Sequence, residues 1–154
     1  MQIFIDLITN PVLISACAGW FVAQLLKVIF HFIKYGPDWK RIAGGGGMPS
    51  SHSATVIGLT TATAITYGVG GFEFPMALFL AIIVIYDAMG VRLETGKEAA
   101  ILNRLMERDK AEGKAPVQEK KLDEFMGHTF PEIVAGVVIG IVCGIVVCKI
   151  ISMV

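Results

Sequence analysis

The sequence predicts an all-α integral membrane protein, a helical bundle with four transmembrane helices and a cytoplasmic amphipathic helical loop, in a single domain over residues 1–154. Hydrophobic residues make up 55% of the chain and charged residues 17%, with a mean hydropathy of +0.69. This composition is too apolar for an ordinary soluble domain. The apolar residues also form continuous runs of roughly 20, the length that a helix needs to cross a bilayer. We therefore expect the chain to be surrounded by membrane lipids.

Charge balance and cysteine usage exclude several classes of protein. Lys and Arg number 13, as do Asp and Glu, so the net charge is zero and we expect no nucleic-acid partner. Cys17, Cys143 and Cys148 all lie in apolar runs, which indicates neither a disulfide framework nor a zinc site. The N-terminus lacks the basic region of a cleavable signal peptide, so we expect no removable segment.

The first spanning helix is predicted over residues 11–33, beginning at Pro11, which suits the first position of a helix. Its polar residues Gln24, Lys27 and His31 are spaced by three and four, so they share one face. A polar stripe in a spanning helix normally turns inward. Alternatively, Lys27 extends its side chain to the membrane interface.

Two further spans follow, over residues 51–69 and 74–91. The first is rich in threonine and alanine, which allow close packing between helices in lipid. The second carries one charge, Asp87, just before Arg92. A carboxylate near the end of a spanning helix is costly and indicates function, so we expect Asp87 to give polar support to a site, paired with Arg92, Lys27 or Lys34.

A hydrophilic loop, residues 93–128, separates these spans from the last one, residues 131–152. The loop should contain an amphipathic helix whose apolar face is formed by Ile101, Leu102, Leu105 and Met106. In the last span, Gly136, Gly140 and Gly144 recur every four residues, the spacing that lets two membrane helices approach closely. We expect this ridge to form a homodimer, with packing inside one subunit as the alternative.

Four crossings in series place the loop after the first span and the loop 93–128 on one side of the membrane. Basic residues favour the cytoplasm, and this side carries most of them. They are Lys40, Lys97, Arg104, Arg108, Lys110, Lys114, Lys120 and Lys121. We therefore expect a multi-pass protein of the inner (plasma) membrane whose functional face is cytoplasmic.

The most distinctive stretch is Gly-Gly-Gly-Gly-Met-Pro-Ser-Ser-His-Ser-Ala, residues 44–54. Glycines such as Gly47 let backbone N–H groups approach a ligand closely, and Ser50 and Ser51 suit the start of a helix, whose N-terminus favours anions. Neither a P-loop nor a dinucleotide-binding fingerprint is present. The stretch therefore indicates a phosphate site, the alternative being a plain linker before a capped helix.

Histidines and cations at one end of the bundle suit phosphoryl transfer, which depends on positioning and on cationic stabilisation of phosphate oxygens. A histidine nucleophile needs a carboxylate to orient it, and Glu132 lies four residues after His128. His52 would then protonate the leaving oxygen.

These residues resemble the divergent branch of the type 2 phosphatidic acid phosphatase superfamily, which is related to acid phosphatases and vanadium haloperoxidases. The resemblance rests on Gly-Gly-Met-Pro-Ser-Ser-His-Ser-Ala (46–54), Tyr-Asp-Ala-Met-Gly-Val-Arg (86–92) and Gly-His-Thr-Phe-Pro-Glu (127–132). It implies that His128 is the nucleophile, His52 the general acid and Glu132 the orienting acid. It also implies a phosphate cradle of Lys34, Arg41 and Arg92.

The sequence departs from the wider superfamily in three places. Ile42 stands where the first motif has proline, Ser51 stands where the second has glycine, and no arginine directly precedes His128, so Arg92 would act from another helix. The resemblance implies a membrane phosphatase for a lipid phosphate such as phosphatidic acid or phosphatidylglycerol phosphate, with no cofactor. The alternatives are a non-catalytic lipid-phosphate binder or transporter and, for the cofactor, Mg²⁺ held by Asp87, Glu132 and the phosphate.

Overall fold

The computed structural model of the protein describes residues 1–36, 46–114, 118 and 120–153. Over these residues all regular structure is helical, which confirms the predicted all-α class. The helices are α1 (Gln2–Ile8), α2 (Pro11–Tyr35), α3 (Ser51–Tyr67), α4 (Glu73–Met89), α5 (Val91–Ala111) and α6 (Phe130–Ile151).

Local sequence signals explain where the helices begin and end. The Asn10 side chain accepts hydrogen bonds from the N–H groups of Val12 and Leu13, so it caps α2 just before Pro11. Gly36 ends the same helix with a positive φ of 81°, a backbone conformation that glycine adopts without strain. The observed bounds of α2, α3 and α6 therefore lie within two residues of the predicted spans.

The core of the bundle is built around α3, which packs against α2, α4 and α6. The glycine ridge of α6 meets α3 directly. A Cβ atom placed on Gly140 would lie 2.7 Å from the Ala54 carbonyl oxygen, and one placed on Gly144 would lie 2.8 Å from the Thr61 Cβ. The ridge is therefore used for packing inside one subunit, and the homodimer remains a prediction that this ridge does not support.

Three helical stretches of the described chain are long and apolar enough to cross a membrane: Pro11–Lys34, Glu73–Ala111 (which contains α4) and Phe130–Ile151. The central helix α3 has 17 residues. At about 1.5 Å per residue it is some 26 Å long, slightly less than a hydrocarbon core of roughly 30 Å. A multi-pass membrane protein is thus supported, while the fourth crossing and the cytoplasmic side of the loop remain predictions.

The hydrophilic region differs from its predicted form. Gly90 interrupts the helix at φ −102° and ψ −88°, so α5 begins at Val91 and Arg92 lies in its first turn instead of ending a span. The predicted apolar face of α5 is not the face that packs on the protein. Ile101 and Leu105 are exposed, and the buried residues are Gly96, Ala99 and Asn103. Periodicity identified the apolar residues of α5 correctly, but the small residues beside them make its protein contacts.

The buried face of α5 holds the chain that leads to α6, which we call the return segment (residues 120–127). The Asn103 side chain donates to the Leu122 carbonyl and accepts from the Leu122 N–H, both at 2.9 Å, and it donates to Glu124 at 2.7 Å. Gly96 lies against the Glu124 and Met126 carbonyls, since a Cβ there would be 2.9 Å from either oxygen. The return segment is therefore fixed along α5 as it approaches residue 128.

Candidate active site at the histidine pair

His128 sits where the return segment meets α6, and it is fully buried. Its backbone N–H donates to the Ala88 carbonyl at 2.9 Å, which fixes this residue to the last turn of α4. One carboxylate oxygen of Glu132, in the first turn of α6, accepts from the Thr129 N–H at 3.0 Å and lies 3.3 Å from His128 Nδ1. Glu132 thus caps its own helix, as a Glu at the third position does in a capping box. The same carboxylate also orients the His128 imidazole.

His52 lies in the first turn of α3, which Ser50 caps by accepting from the Ser53 N–H at 3.3 Å. Its Nδ1 is 3.4 Å from His128 Nε2. The two rings meet edge to face, with centroids 5.6 Å apart and planes inclined by 63°. Two histidines separated by 76 positions in the chain are therefore in direct contact, as the predicted site requires.

Arg92 extends this arrangement from the start of α5. Its Nη1 lies 3.4 Å from His52 Nε2, and its Nε donates to Asp87 Oδ2 at 2.5 Å. Both side chains of this ion pair are partly exposed, Arg92 by 44% and Asp87 by 38%. Asp87 therefore fixes one edge of the guanidinium and leaves the rest directed at His52 and at solvent.

The order of these contacts fixes the imidazole tautomers. Arginine only donates and an ionised carboxylate only accepts. His52 therefore accepts at Nε2 from Arg92 and donates from Nδ1 to His128 Nε2, and His128 donates from Nδ1 to Glu132. In this state both imidazoles are neutral, and the lone pair of His128 Nε2 faces His52.

The surroundings of His128 favour its neutral form. Burial lowers its pKa below the ordinary value, and the charge of Lys27 lowers it further, while Glu132 acts in the opposite direction. A neutral imidazole is the nucleophilic form, so the site keeps His128 ready to attack at neutral pH.

The other predicted phosphate ligands have different surroundings. Lys34 is exposed in the last turn of α2. Ser50 is buried, with its hydroxyl in the α3 cap and its N–H donating to the Glu132 carbonyl at 3.0 Å, and Ser51 is buried beside it. Arg41 lies outside the described residues. The serines thus build the start of α3, whose N-terminal end favours an anion.

Lys27 is the site residue that sequence reasoning did not select. It is only 6% exposed, and its aliphatic chain lies against Gly47, where a Cβ would be 3.7 Å from the Lys27 Cγ. The available signal was the stripe of Gln24, Lys27 and His31 on one face of α2. From that stripe alone, the Lys27 side chain could point into the protein or reach the membrane interface. Its packing against Gly47 shows that it points into the protein.

The described residues bring no three His, Cys, Asp or Glu side chains together in a way that could hold a metal ion. Asp87 contacts Arg92, whereas Glu132 contacts His128. The geometry of the described part therefore lends no support to a Mg²⁺ site that combines these two carboxylates with a phosphate.

Comparison with known proteins gives the family. The divergent PAP2 family matches residues 8–143, which contain all of the histidine-pair residues. The chain belongs to this family. It is also 34% identical over 151 residues to the uncharacterized membrane protein YuiD of Bacillus subtilis (strain 168), a match that covers 92% of this chain and 96% of the relative. No solved structure matches the chain. The resemblance found in the sequence motifs is thereby confirmed.

Proposed function

We propose that the protein is a membrane-embedded lipid phosphate phosphatase that hydrolyses a phosphomonoester such as phosphatidic acid or phosphatidylglycerol phosphate. The observation that carries the proposal is the contact chain from Arg92 through His52 and His128 to Glu132. Membership of the divergent PAP2 family supports a phosphatase-related fold. A nucleophile, an orienting acid, a proton donor and a cation in contact are the parts that phosphoryl transfer through histidine needs.

In the first step the lone pair of His128 Nε2 attacks phosphorus and the bond from phosphorus to the lipid oxygen breaks. On binding, the acidic proton of the phosphate monoester passes to His52, which is neutral in the free site. His52 then gives a proton to the leaving oxygen, so the lipid leaves as an alcohol. Glu132 stabilises the positive charge that develops on the His128 ring, and Arg92 stabilises the phosphoryl oxygens.

In the second step water attacks the phosphorus of phosphohistidine and the bond to Nε2 breaks. His52, now neutral, accepts the proton of the attacking water. Inorganic phosphate leaves, His128 is restored, and no metal or redox partner is needed to balance the reaction.

One imidazole must move when substrate binds. The nitrogens of the histidine pair are 3.4 Å apart, too close for a phosphorus atom and a leaving oxygen to lie between them. His128 is fully buried, and hydrogen bonds hold both its backbone N–H and its ring Nδ1. His52 is only partly buried in the first turn of α3. We therefore assign the movement to the His52 side chain, which opens the site towards the exposed side of Arg92.

The distribution of charge supports one membrane side for the site. The chain between α4 and α6 carries seven of the eight basic residues counted above, and basic loops favour the cytoplasm. We propose that the site faces the cytoplasm and takes substrates from the inner leaflet of the plasma membrane. In a variant without native cysteines, Lys110→Cys should react with a membrane-impermeant thiol reagent in inverted vesicles but not in intact cells.

Phosphate release tests the proposal directly. Detergent-purified protein is given phosphatidic acid, phosphatidylglycerol phosphate and an isoprenoid phosphate in turn, with and without Mg²⁺. We expect release from at least one lipid, abolished in His128→Asn. His31→Asn, the same change at the remaining histidine of the chain, is the matched control and should retain activity.

The same assay separates the alternative function. A non-catalytic binder or transporter needs cations but no nucleophile. If the wild type binds the lipids and releases phosphate from none, the phosphatase proposal fails and the binder is favoured.

A further inference from the structure

In the reaction described so far, the buried lysine of α2 acts on His128 through its charge and has no contact with the substrate. We propose that Lys27 is the cation of α2 that binds the phosphate group, beside His128 and in place of the predicted Lys34. The inference deepens the proposed function, because it names a ligand of the substrate phosphate at that same site.

Burial of the Lys27 charge is incompletely compensated by the protein. Removing an ammonium group from water costs several kcal/mol unless an anion compensates it. Glu132 is the carboxylate whose field acts on Lys27. Its Oε2, however, is used by the Thr129 N–H and by His128, and no carboxylate in the described part of the chain forms an ion pair with Lys27. An ionisable group buried in a membrane helix indicates a functional site by default, and the partner of a cation there is an anion.

The position of Lys27 suits a phosphate at the histidine pair. Its aliphatic chain crosses Gly47, three residues before the Ser50 cap, so it approaches the start of α3. Its charge is also close enough to His128 to act on that imidazole. First-turn N–H groups of α3 point to the same end of the bundle, where they favour an anion.

Lys27 and Arg92 reach the histidine pair from different helices, α2 and α5. Arg92 contacts His52, and the charge of Lys27 acts on both imidazoles. A phosphoryl group that passes to His128 is thus met by two cations, which two different helices supply. Electrostatic stabilisation of the phosphoryl oxygens is what the reaction requires.

Lys34 lacks these properties. It lies seven residues after Lys27, on the same face of α2 and about 10 Å further along the axis. It is exposed, so its charge is screened by water. The pair of lysines therefore provides two equivalent substitutions, one at the proposed ligand and one outside it.

The test is a ³¹P NMR titration of inorganic phosphate into the purified full-length protein in detergent micelles. Lys27→Met keeps the length of the side chain and removes its charge. We expect a loss of phosphate affinity of about 10- to 100-fold, the range for one charge-assisted contact. Lys34→Met should change the affinity by less than about twofold, as exposed charges do. Wild-type affinity in Lys27→Met, or a large loss in Lys34→Met, would overturn the proposal.

A variant pair covers the case in which Lys27→Met does not fold. Lys27→Met with Glu132→Gln removes the buried charge and its opposing carboxylate together, and Lys27→Arg retains the charge. We expect the double variant to fold and still bind phosphate weakly, and Lys27→Arg to bind it. If Lys27 serves only as a counter-charge for Glu132, the double variant regains wild-type affinity and the proposal fails.

Failure of this inference can be told apart from failure of the proposed function. If phosphate binding depends on Lys27 but no lipid phosphate is hydrolysed, the proposed phosphatase function is refuted and the assignment of Lys27 as a phosphate ligand is retained. If Lys27→Met hydrolyses the lipid as fast as the wild type, the assignment of Lys27 is refuted and the proposed phosphatase function is retained.

Discussion

Gly127 positions His128 against the start of α5, and an added methyl group there should lower both stability and activity. It has a positive φ of 78°, directly before His128. A Cβ there would be 2.8 Å from the Arg92 carbonyl carbon and would overlap the backbone of Leu93. Gly113 is the matched control, because its φ is 75° and a Cβ would meet nothing within 4 Å. The pair separates backbone strain from collision.

The expected magnitudes follow from these two contributions. A left-handed conformation costs a non-glycine residue about 1–2 kcal/mol, and both variants should lose this much. Gly127→Ala adds overpacking against backbone, worth about 1–3 kcal/mol more. Relieving the overlap requires a displacement on the order of 1 Å between Gly127 and the α5 start, and an error of that size at a reacting group costs about 100-fold in rate.

Thermal unfolding in detergent micelles and release of p-nitrophenol from p-nitrophenyl phosphate would measure the two effects. Gly113→Ala should lower the melting temperature slightly and keep its turnover, whereas Gly127→Ala should lower both strongly. Equal behaviour of the two variants would refute the conclusion that the approach of Gly127 to α5 positions His128 and Arg92.

Three further predictions concern the network around the site. Burial holds the His128 pKa below its ordinary value, so the unfolded chain takes up a proton before the folded one. Stability should therefore fall as pH drops below about 6.5, and the melting temperature of His128→Asn should fall less than that of the wild type. Asp87→Asn frees the Arg92 guanidinium and should lower kcat/KM for p-nitrophenyl phosphate about tenfold with almost no change in melting temperature, since the ion pair is partly exposed. A large loss of stability instead would mean that the pair is structural. Asn103→Leu removes three hydrogen bonds and should destabilise by about 1–3 kcal/mol, with faster amide hydrogen exchange confined at first to the return segment.

The helices and the histidine pair were predictable because their signals are local or follow from topology. Pro11 and Ser50 mark helix starts that the structure retains. His52 and His128 were expected together because both come at the same end of the bundle, and they are in contact. Helix start signals and motif spacing are properties of short segments, and tertiary packing did not override them here.

Questions about contact partners could not be decided from sequence. The ridge that contains Gly140 fits another subunit or α3 equally well, and only the fold shows that α3 occupies it. The same holds for Lys27, whose inward position depends on Gly47, twenty residues away. For α5, periodicity identified Ile101 and Leu105 as apolar, but the contact with the return segment is made by Gly96 and Asn103. A pattern specifies which residues share a face and leaves open what that face meets.

Detection of phosphohistidine at His128 tests the central claim most directly. In His52→Asn, a substrate with a good leaving group such as p-nitrophenyl phosphate still allows the first step, while the second step lacks its base. Mass spectrometry of peptides kept at alkaline pH should then find phosphate on His128, at far higher occupancy than in the wild type. Phosphate release without any phosphorylated His128, or phosphate on another residue, would contradict the account.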